Sequence, residues 1–312
     1  MTSRFGRIGG VALAVLGGTM VAAQTRINGA LAGEIGNGIA AAVISFGSGL
    51  IVLTLAVLAY APARAGLARV ANLLRKGDLR WWECAGGACG AFLVASQGLT
   101  VGALGVAVFI VSIVAGQSVS SLFVDRAGLA PGGPRPITAN RAIGTALTVV
   151  AVLLAVSGRI GTPATLALAI LPVLAGFGTA WQTAMNGRVR QASEGVVSTT
   201  FINFAVGTVA LLVTFGVQVA FAGKPTGTLP PQPWLYLGGT IGIVFIAIAA
   251  ALVRHIGVLL LGLSMIAGQV GGAVVVDLAA PAGDAHLDAT TLAGAALTLV
   301  AVAIASISRP AR

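Results

Sequence analysis

The sequence predicts an all-α integral membrane protein in which about ten transmembrane helices form two inverted five-helix repeats. Three observations support this fold class: the composition, the spacing of the apolar runs and a duplication within the chain. Of the 312 residues, 57% are hydrophobic and 8% are charged, whereas about 25% of residues in a soluble domain are charged. The mean hydropathy is +1.00, so lipid is the expected solvent for most of the chain.

Apolar runs long enough to cross a bilayer recur along the whole sequence, and a bilayer core needs about 20 apolar residues per helix. Runs broken by Pro, Gly or charged residues predict ten helices, at residues 8–27, 36–60, 82–100, 104–124, 138–157, 164–186, 196–221, 233–252, 256–277 and 288–308. Several connections are so short that consecutive helices should form antiparallel hairpins. No segment is left for a sizeable soluble domain.

The basic residues fall on one side of this predicted topology. With a cytoplasmic N-terminus, every Lys and Arg except Arg26, Arg159 and Lys224 lies on the cytoplasmic side. This distribution follows the positive-inside rule. It predicts a multi-pass membrane protein with both termini cytoplasmic. It also accounts for the formal net charge of +10 without a nucleic-acid partner.

Two stretches of the first half of the chain reappear in the second half. Residues 24–29, QTRING, return as residues 182–187, QTAMNG. Residues 82–125 align without a gap with residues 234–277, and this alignment pairs several glycines and an Ala-Gly-Gln tripeptide. The chain is therefore predicted to be a duplication of one five-helix unit.

We predict that the first repeat covers residues 1–157 and the second covers residues 158–312. Because five is an odd number, the second repeat must cross the membrane in the opposite sense to the first. Inverted repeats of this kind are the basis of alternating access in secondary transporters. The apolar stretch at residues 8–23 has a repeat counterpart, so we expect it to stay in the fold rather than to be cleaved as a signal peptide.

The repeated motifs resemble those of a known group of transporters. Each unit has Asn-Gly after its first helix, Ser-Phe or Asn-Phe in its second, and Ala-Gly-Gln followed eight residues later by Asp in its fourth. This combination resembles the drug/metabolite transporter superfamily, and most closely its YdcZ-type branch in a fused two-unit form. The resemblance covers essentially the whole chain. It implies a ten-helix, EamA-like fold with a central substrate pathway, but no established substrate.

Polar side chains inside the predicted helices are candidates for lining that pathway. Gln117 and Gln269 lie near the middle of the fourth and ninth predicted helices, where an unpaired amide costs free energy. They either bond to neighbouring helices or face a solute in a central cavity, because an amide offers both donors and acceptors. The sequence favours neither alternative. Trp181 and Gln97 are further candidates for the cavity.

Two pairs of amides share a helical face in the first and sixth predicted helices. Gln24 with Asn28, and Gln182 with Asn186, lie four residues apart and therefore point to the same side of a helix. For the two Asn-Gly pairs the favoured prediction is helix capping, since Asn and Gly tolerate a left-handed conformation at a C-cap. A role in the substrate pathway is the alternative.

Asp125 and Asp277 end the fourth and ninth predicted helices, on opposite sides of the membrane. For Asp125 the favoured prediction is an interfacial salt bridge with the adjacent Arg126. The alternative for both acids is a proton-coupling carboxylate, because acids within membranes often mark ion pathways. No acid is predicted in the middle of the first or sixth helix, which disfavours a cation exchanger that relies on a buried glutamate.

No motif predicts an enzyme, a metal site or a cofactor. Cys84 and Cys89 have no His nearby and are expected to be packing residues. The Gly-rich stretch at residues 86–90 lacks the Lys-Ser/Thr of a phosphate loop and is expected to pack helices together.

The sequence and the resemblance together therefore favour a secondary transporter of the bacterial inner membrane that moves a small metabolite or drug-like solute. Its expected partners are the lipid bilayer and the small-molecule substrate. A non-transporting membrane scaffold or accessory subunit is the alternative function. The substrate, the direction of transport and the coupling ion are left open, as is the oligomeric state, with a homo-oligomer among the alternatives.

Overall fold

The computed structural model describes residues 4–131, 133–158, 167–256, 258–281 and 287–307, and within these ranges all regular secondary structure is helical. The α-helices are α1 (Arg4–Ile35), α2 (Gly38–Ala59), α3 (Ala61–Lys76), α4 (Gly86–Arg126), α5 (Ala139–Ser157), α6 (Ile170–Ser193), α7 (Val196–Ala222), α8 (Gly238–Ile256), α9 (Val258–Ala279) and α10 (Ala289–Ala305). Six helical stretches in the described ranges are long and apolar enough to cross a membrane by length and composition, and two shorter apolar helices accompany them.

Helix α4 is a hairpin with two antiparallel halves. At its middle, Gly105 has φ 77° and ψ 168°, a conformation that glycine adopts at no steric cost. A continuous helix would hold Cys89 and Phe123 about 50 Å apart, at 1.5 Å per residue, yet both line one pocket beside α6. With the halves of α4 counted separately and the short α3 set aside, each half of the described chain contributes five helices, as predicted.

The prediction that the two Asn-Gly pairs cap their helices is wrong. Helix α1 continues past Asn28 to Ile35, and α6 continues past Asn186 to Ser193. The glycine after each Asn serves packing instead: a Cβ at Gly29 would lie 2.7 Å from Val101, and one at Gly187 would lie 2.9 Å from Pro131. Close contact with a neighbouring segment outweighs the roughly 1 kcal/mol that glycine costs a helix. The predicted start of the sixth helix at residue 164 lies outside the described residues.

Helix α3 is a short amphipathic helix where the sequence predicted a cytoplasmic loop. Its buried face includes Ala63 and Val70, which are seven residues apart, as expected for one side of a helix. This face packs on the junction between α6 and α7. There Ser198 Oγ donates to the carbonyl oxygen of Ala63 at 2.9 Å, and Arg69 Nη2 donates to that of Ser193 at 2.6 Å. Helix α3 therefore links the first half of the chain to the second.

The end of the helix bundle that carries α3 also carries the described ion pairs, and we call it the Arg-rich end. These pairs are Arg69–Glu194 at 3.4 Å, Arg141–Asp125 at 2.6 Å and Arg188–Glu83 at 3.0 Å. The Arg188 guanidinium also donates to the carbonyl oxygens of residues 128 and 129. This end therefore collects the loops that the positive-inside rule assigned to the cytoplasm.

The two halves of the chain run in opposite directions through the bundle. Helix α6 ends at the Arg-rich end, where Ser193 contacts α3. Its repeat counterpart α1 ends at the opposite end, where Ile35 packs against Gly227 in the connection between α7 and α8. The units are therefore inverted, as predicted. The division at residues 157 and 158 stays a prediction.

Repeat-equivalent glycines bring backbones of the two units into direct contact. A Cβ at Gly116 in α4 would overlap the carbonyl oxygen of Val173 in α6, and a Cβ at Gly268 in α9 would overlap that of Val15 in α1. Each contact joins one unit to the other. The two contacts are repeat equivalents in which the first and second units exchange roles. Gly87 and Gly239 form a second pair of this kind. Gly87 packs on the carbonyl oxygen of Asn203, and Gly239 packs on the carbonyl oxygen of Ser45.

Replacing Gly116 should therefore weaken the bundle more than replacing a glycine without neighbours. We expect Gly116→Ala to lower the free energy of unfolding by about 1–3 kcal/mol, because the added methyl forces α4 and α6 apart. Gly102→Ala, at a helical site with no atom within 4 Å of the new Cβ, should instead raise it by up to about 1 kcal/mol, because alanine has the higher helix propensity. Thermal unfolding in detergent measures both changes. Equal losses in the two variants would contradict the proposed packing.

Candidate functional site

A cavity of about 190 Å³ lies between the two units. Its volume equals that of roughly six water molecules at about 30 Å³ each. Helices α1, α2, α4, α6, α7 and α8 supply its walls. The polar lining residues are Gln24, Thr179, Gln182, Thr183, Asn186 and Asn203.

Many of the lining residues are repeat equivalents of one another, which places the cavity on the pseudo-twofold axis that relates the two units. Gln24 corresponds to Gln182, and Phe46 corresponds to Phe204. The two phenylalanine rings stack with their centroids 4.9 Å apart and their planes at 29°, a separation typical of favourable aromatic pairs. The aromatic wall is therefore built by both units together.

The two glutamines are positioned by the neighbouring helices. Gln24 Nε2 donates to the carbonyl oxygen of Gly238 at 2.8 Å, and Gln182 Nε2 donates to Asn203 Oδ1 at 3.0 Å. A glycine makes room for each amide: a Cβ at Gly242 would lie 2.9 Å from Gln24 Nε2, and one at Gly90 would lie 2.5 Å from Gln182 Nε2. Of the five glutamines predicted for the pathway, Gln24 and Gln182 therefore line the central cavity.

The two asparagines have different environments. Asn186 lines the central cavity, but Asn28 is fully buried outside the cavity lining. Asn28 Nδ2 donates to Gln97 Oε1 at 2.6 Å, and Gln97 Nε2 donates to Thr25 Oγ1 at 3.0 Å. We call these three side chains the amide network. Gln97, predicted for the cavity, instead joins α1 to the first half of α4.

A second cavity, of about 400 Å³, lies at the Arg-rich end. Gln117 and Ser121 line it, together with Asp125, Arg135 and Thr183. Thr183 also lines the central cavity, so the two cavities share this residue. Gln117 therefore lies beside the central cavity rather than in its lining.

The other two predicted pathway residues lie elsewhere. Trp181 lines a separate apolar pocket together with Cys89 and Phe123. Gln269 is half-buried, and its backbone nitrogen packs on α1, where a Cβ at Gly18 would lie 2.8 Å away. The structure therefore does not bring Gln117 and Gln269 together as a symmetric pair in one site.

The two aspartates also have different environments. Asp125 pairs with Arg141 rather than with the adjacent Arg126, which is exposed; the predicted partner was wrong because the helical twist points neighbouring residues in different directions. Asp277 is 6% exposed. Its carboxylate accepts hydrogen bonds from the backbone nitrogens of Val106 at 2.9 Å and Ala107 at 2.7 Å, where the second half of α4 begins. An anion at a helix N-terminus satisfies free N–H groups and the helix dipole.

Loss of this cap should destabilise the α4 hairpin. We expect Asp277→Ala to lower the free energy of unfolding by about 1–3 kcal/mol, because two buried N–H groups lose their acceptor. Asp277→Asn keeps one acceptor oxygen and should lose less. Asp78→Ala, in an exposed loop, is the control and should unfold like the unmodified protein. Chemical denaturation followed by circular dichroism checks this order, and an Asp277→Ala variant as stable as the control would refute it.

Sequence reasoning missed several cavity residues. Thr179 and Thr183 lie on the cavity face of α6, and Asn203 accepts the hydrogen bond from Gln182. The two phenylalanines belong to the Ser-Phe and Asn-Phe pairs of the repeat. That repetition was the signal that could have identified Phe46 and Phe204 as site residues.

Comparison with known proteins gives one family. The model of the family described as "Putative inner membrane exporter, YdcZ" matches the chain twice, over residues 10–154 and 167–304. One match in each half supports the duplication. No curated protein matches the chain. A solved structure described as "Crystal structure of protein" is 17% identical, covers 97% of this chain and 97% of its own, and has a TM-score of 0.54. At that identity the likeness concerns the fold.

Proposed function

We propose that this chain, which belongs to the YdcZ family of inner membrane exporters within the drug/metabolite transporter group, is a secondary transporter. It carries a small metabolite or drug-like solute across the bacterial inner membrane by alternating access. The observation that carries the proposal is a difference in burial between repeat-equivalent side chains on either side of the central cavity.

Two pairs of identical residues illustrate this difference. Thr183 is exposed and Asn186 is half-buried, both on the Arg-rich side of the cavity. Their counterparts Thr25 and Asn28 are 0% exposed on the opposite side. Since each pair has the same residue type at the same repeat position, residue type alone does not account for the difference. It is expected of an inverted pair of units in two different conformations.

The solute pathway runs from the central cavity towards the Arg-rich end. It passes Thr183, which lines both cavities, and reaches the second cavity beside Gln117 and Asp125. At the opposite end, the amide network and the contact of Asp277 with α4 close the bundle. Arg26 adds to this closure, because its Nε donates to the carbonyl oxygen of residue 280 at 2.8 Å.

The positive-inside rule assigns the Arg-rich end to the cytoplasm. On this assignment we propose an inward-open state with both termini cytoplasmic. Exchange of the conformations of the two units would open the other end. Of the two candidate coupling acids, Asp125 is the better placed because it lines the open cavity, whereas two backbone N–H groups hold Asp277.

Transport is tested by flux into proteoliposomes. We expect the purified protein to equilibrate at least one radiolabelled solute from a panel of small metabolites and drug-like compounds. Gln24→Ala and Gln182→Ala should each reduce that flux at least ten-fold, because each removes a polar group from the cavity. Thr54→Ala, at an exposed site in α2, is the matched control and should keep full flux. No flux of any solute by a folded protein would favour a membrane scaffold or accessory subunit instead.

A further inference from the structure

We infer from the cavity lining that the site selects uncharged solutes of about one ring in size, each with an apolar body and an amide or hydroxyl group. This inference rests on the proposed function, because it names the class of solute that the central cavity would take. It starts from the charge of the lining. None of the described residues that line the central cavity carries a charged side chain.

The polar groups of the cavity match a neutral solute. Gln24 and Gln182 each give one N–H to the protein. Each keeps a carbonyl oxygen and a second N–H, so each can both accept and donate. Thr179 and Thr183 donate their hydroxyl protons to carbonyl oxygens one turn back, at 2.8 Å in both cases, and keep their oxygens as acceptors.

An ion would have no countercharge in this cavity. During alternating access the solute must be enclosed, and an enclosed ion exchanges its hydration for neutral amides and aromatic rings, which is unfavourable. The nearest described carboxylate on the pathway, Asp125, belongs to the second cavity and is paired with Arg141. The lining therefore disfavours both anions and cations.

The apolar part of the lining sets the size and shape of the solute. Phe46, Phe204 and Phe245 line the cavity together with Leu93 and Ile246. A protein cavity of about 150 Å³ is large enough to hold benzene. The 190 Å³ available here therefore fits one ring with a small polar substituent, whose edge can reach the glutamine amides.

Four compounds with the same ring test this selectivity: benzamide, benzyl alcohol, benzoate and benzylammonium. Binding to the detergent-solubilised protein is followed by thermal shift, because a ligand that prefers the folded state raises the unfolding temperature. We expect benzamide and benzyl alcohol to bind at least ten-fold more tightly than the two ions. Gln182→Leu and Gln24→Leu should each weaken benzamide binding, whereas Thr54→Ala should not.

The outcomes separate the solute class from the transport function. Tight binding of benzoate or benzylammonium, or binding of none of the four compounds, overturns the proposed class even if another solute is transported. Binding of the neutral compounds without flux of any solute leaves the class intact and overturns the transport function.

A different observation assigns a role to Gln97. In the gapless alignment of residues 82–125 with 234–277, the counterpart of Gln97 is Ala249. The amide network at the opposite end therefore has no equivalent at the Arg-rich end, where an alanine methyl would take the place of the amide. Gln97 acts as a positioning residue that stabilises the state closed at the opposite end.

Cysteine labelling with a membrane-impermeant maleimide measures the balance between the state closed at the opposite end and the state closed at the Arg-rich end. In a background with Cys84→Ala and Cys89→Ala, the reporters are Ser121→Cys, in the second cavity, and Ala273→Cys, its fully buried counterpart in α9. We expect Gln97→Ala to raise the labelling rate of the Ala273→Cys reporter about ten-fold, which corresponds to about 1.4 kcal/mol. The labelling rate of the Ser121→Cys reporter should fall.

A gain-of-function variant keeps the test decisive if Gln97→Ala fails to fold. Ala249→Gln supplies the missing amide at the Arg-rich end, and it should shift labelling in the same direction as Gln97→Ala. Unchanged labelling of both reporters in either folded variant would overturn the role assigned to Gln97.

Discussion

The close approach of helix backbones at glycine positions is the constraint on which the structure depends. In a membrane the lipid is as apolar as the side chains, so helices associate through close packing and hydrogen bonds rather than through the hydrophobic effect. Gly116 and Gly268 allow α4 and α9 to rest directly on carbonyl oxygens of the other unit. Both units are held to each other in this way, and the cavity is the space between these contacts.

A different pair of repeat-equivalent glycines makes room for the site. Gly90 and Gly242 leave room for the amides of Gln182 and Gln24, so the glutamines can lie at the boundary between the units and still bond to a neighbouring helix. A larger residue at either position would occupy the space of the amide nitrogen. Helix packing and the polarity of the cavity therefore depend on the same feature of the sequence.

Much of the fold could be predicted from the sequence, because composition, apolar runs and the duplication act over many residues. The ten spans and their inversion follow from these features. Helix α3 was missed because it has no apolar run of membrane length. Its amphipathic pattern is explained only by the packing of its apolar face on α6 and α7. The Asn-Gly pairs were misassigned because local preference for a helix end is weaker than tertiary contacts.

The site was predicted less completely, since an apolar sequence does not fix the rotation of each helix about its axis. Gln24 and Gln182 line the cavity, but Gln117, Gln97 and Trp181 lie outside its lining. Repeat symmetry is also a poor guide to the site, because equivalent residues such as Asn28 and Asn186 occupy unlike environments. A pseudosymmetric sequence does not reveal which unit adopts which conformation.

The replacement of Gln97 by Ala249 shows what fusion of two copies into one chain permits. An antiparallel dimer of identical subunits would carry the same side chain at both positions, so its two faces would be chemically equal. Once the copies share one polypeptide, each can accumulate its own substitutions. An amide present in only one copy, in the role inferred for Gln97, then makes one of the two conformational states the preferred resting state.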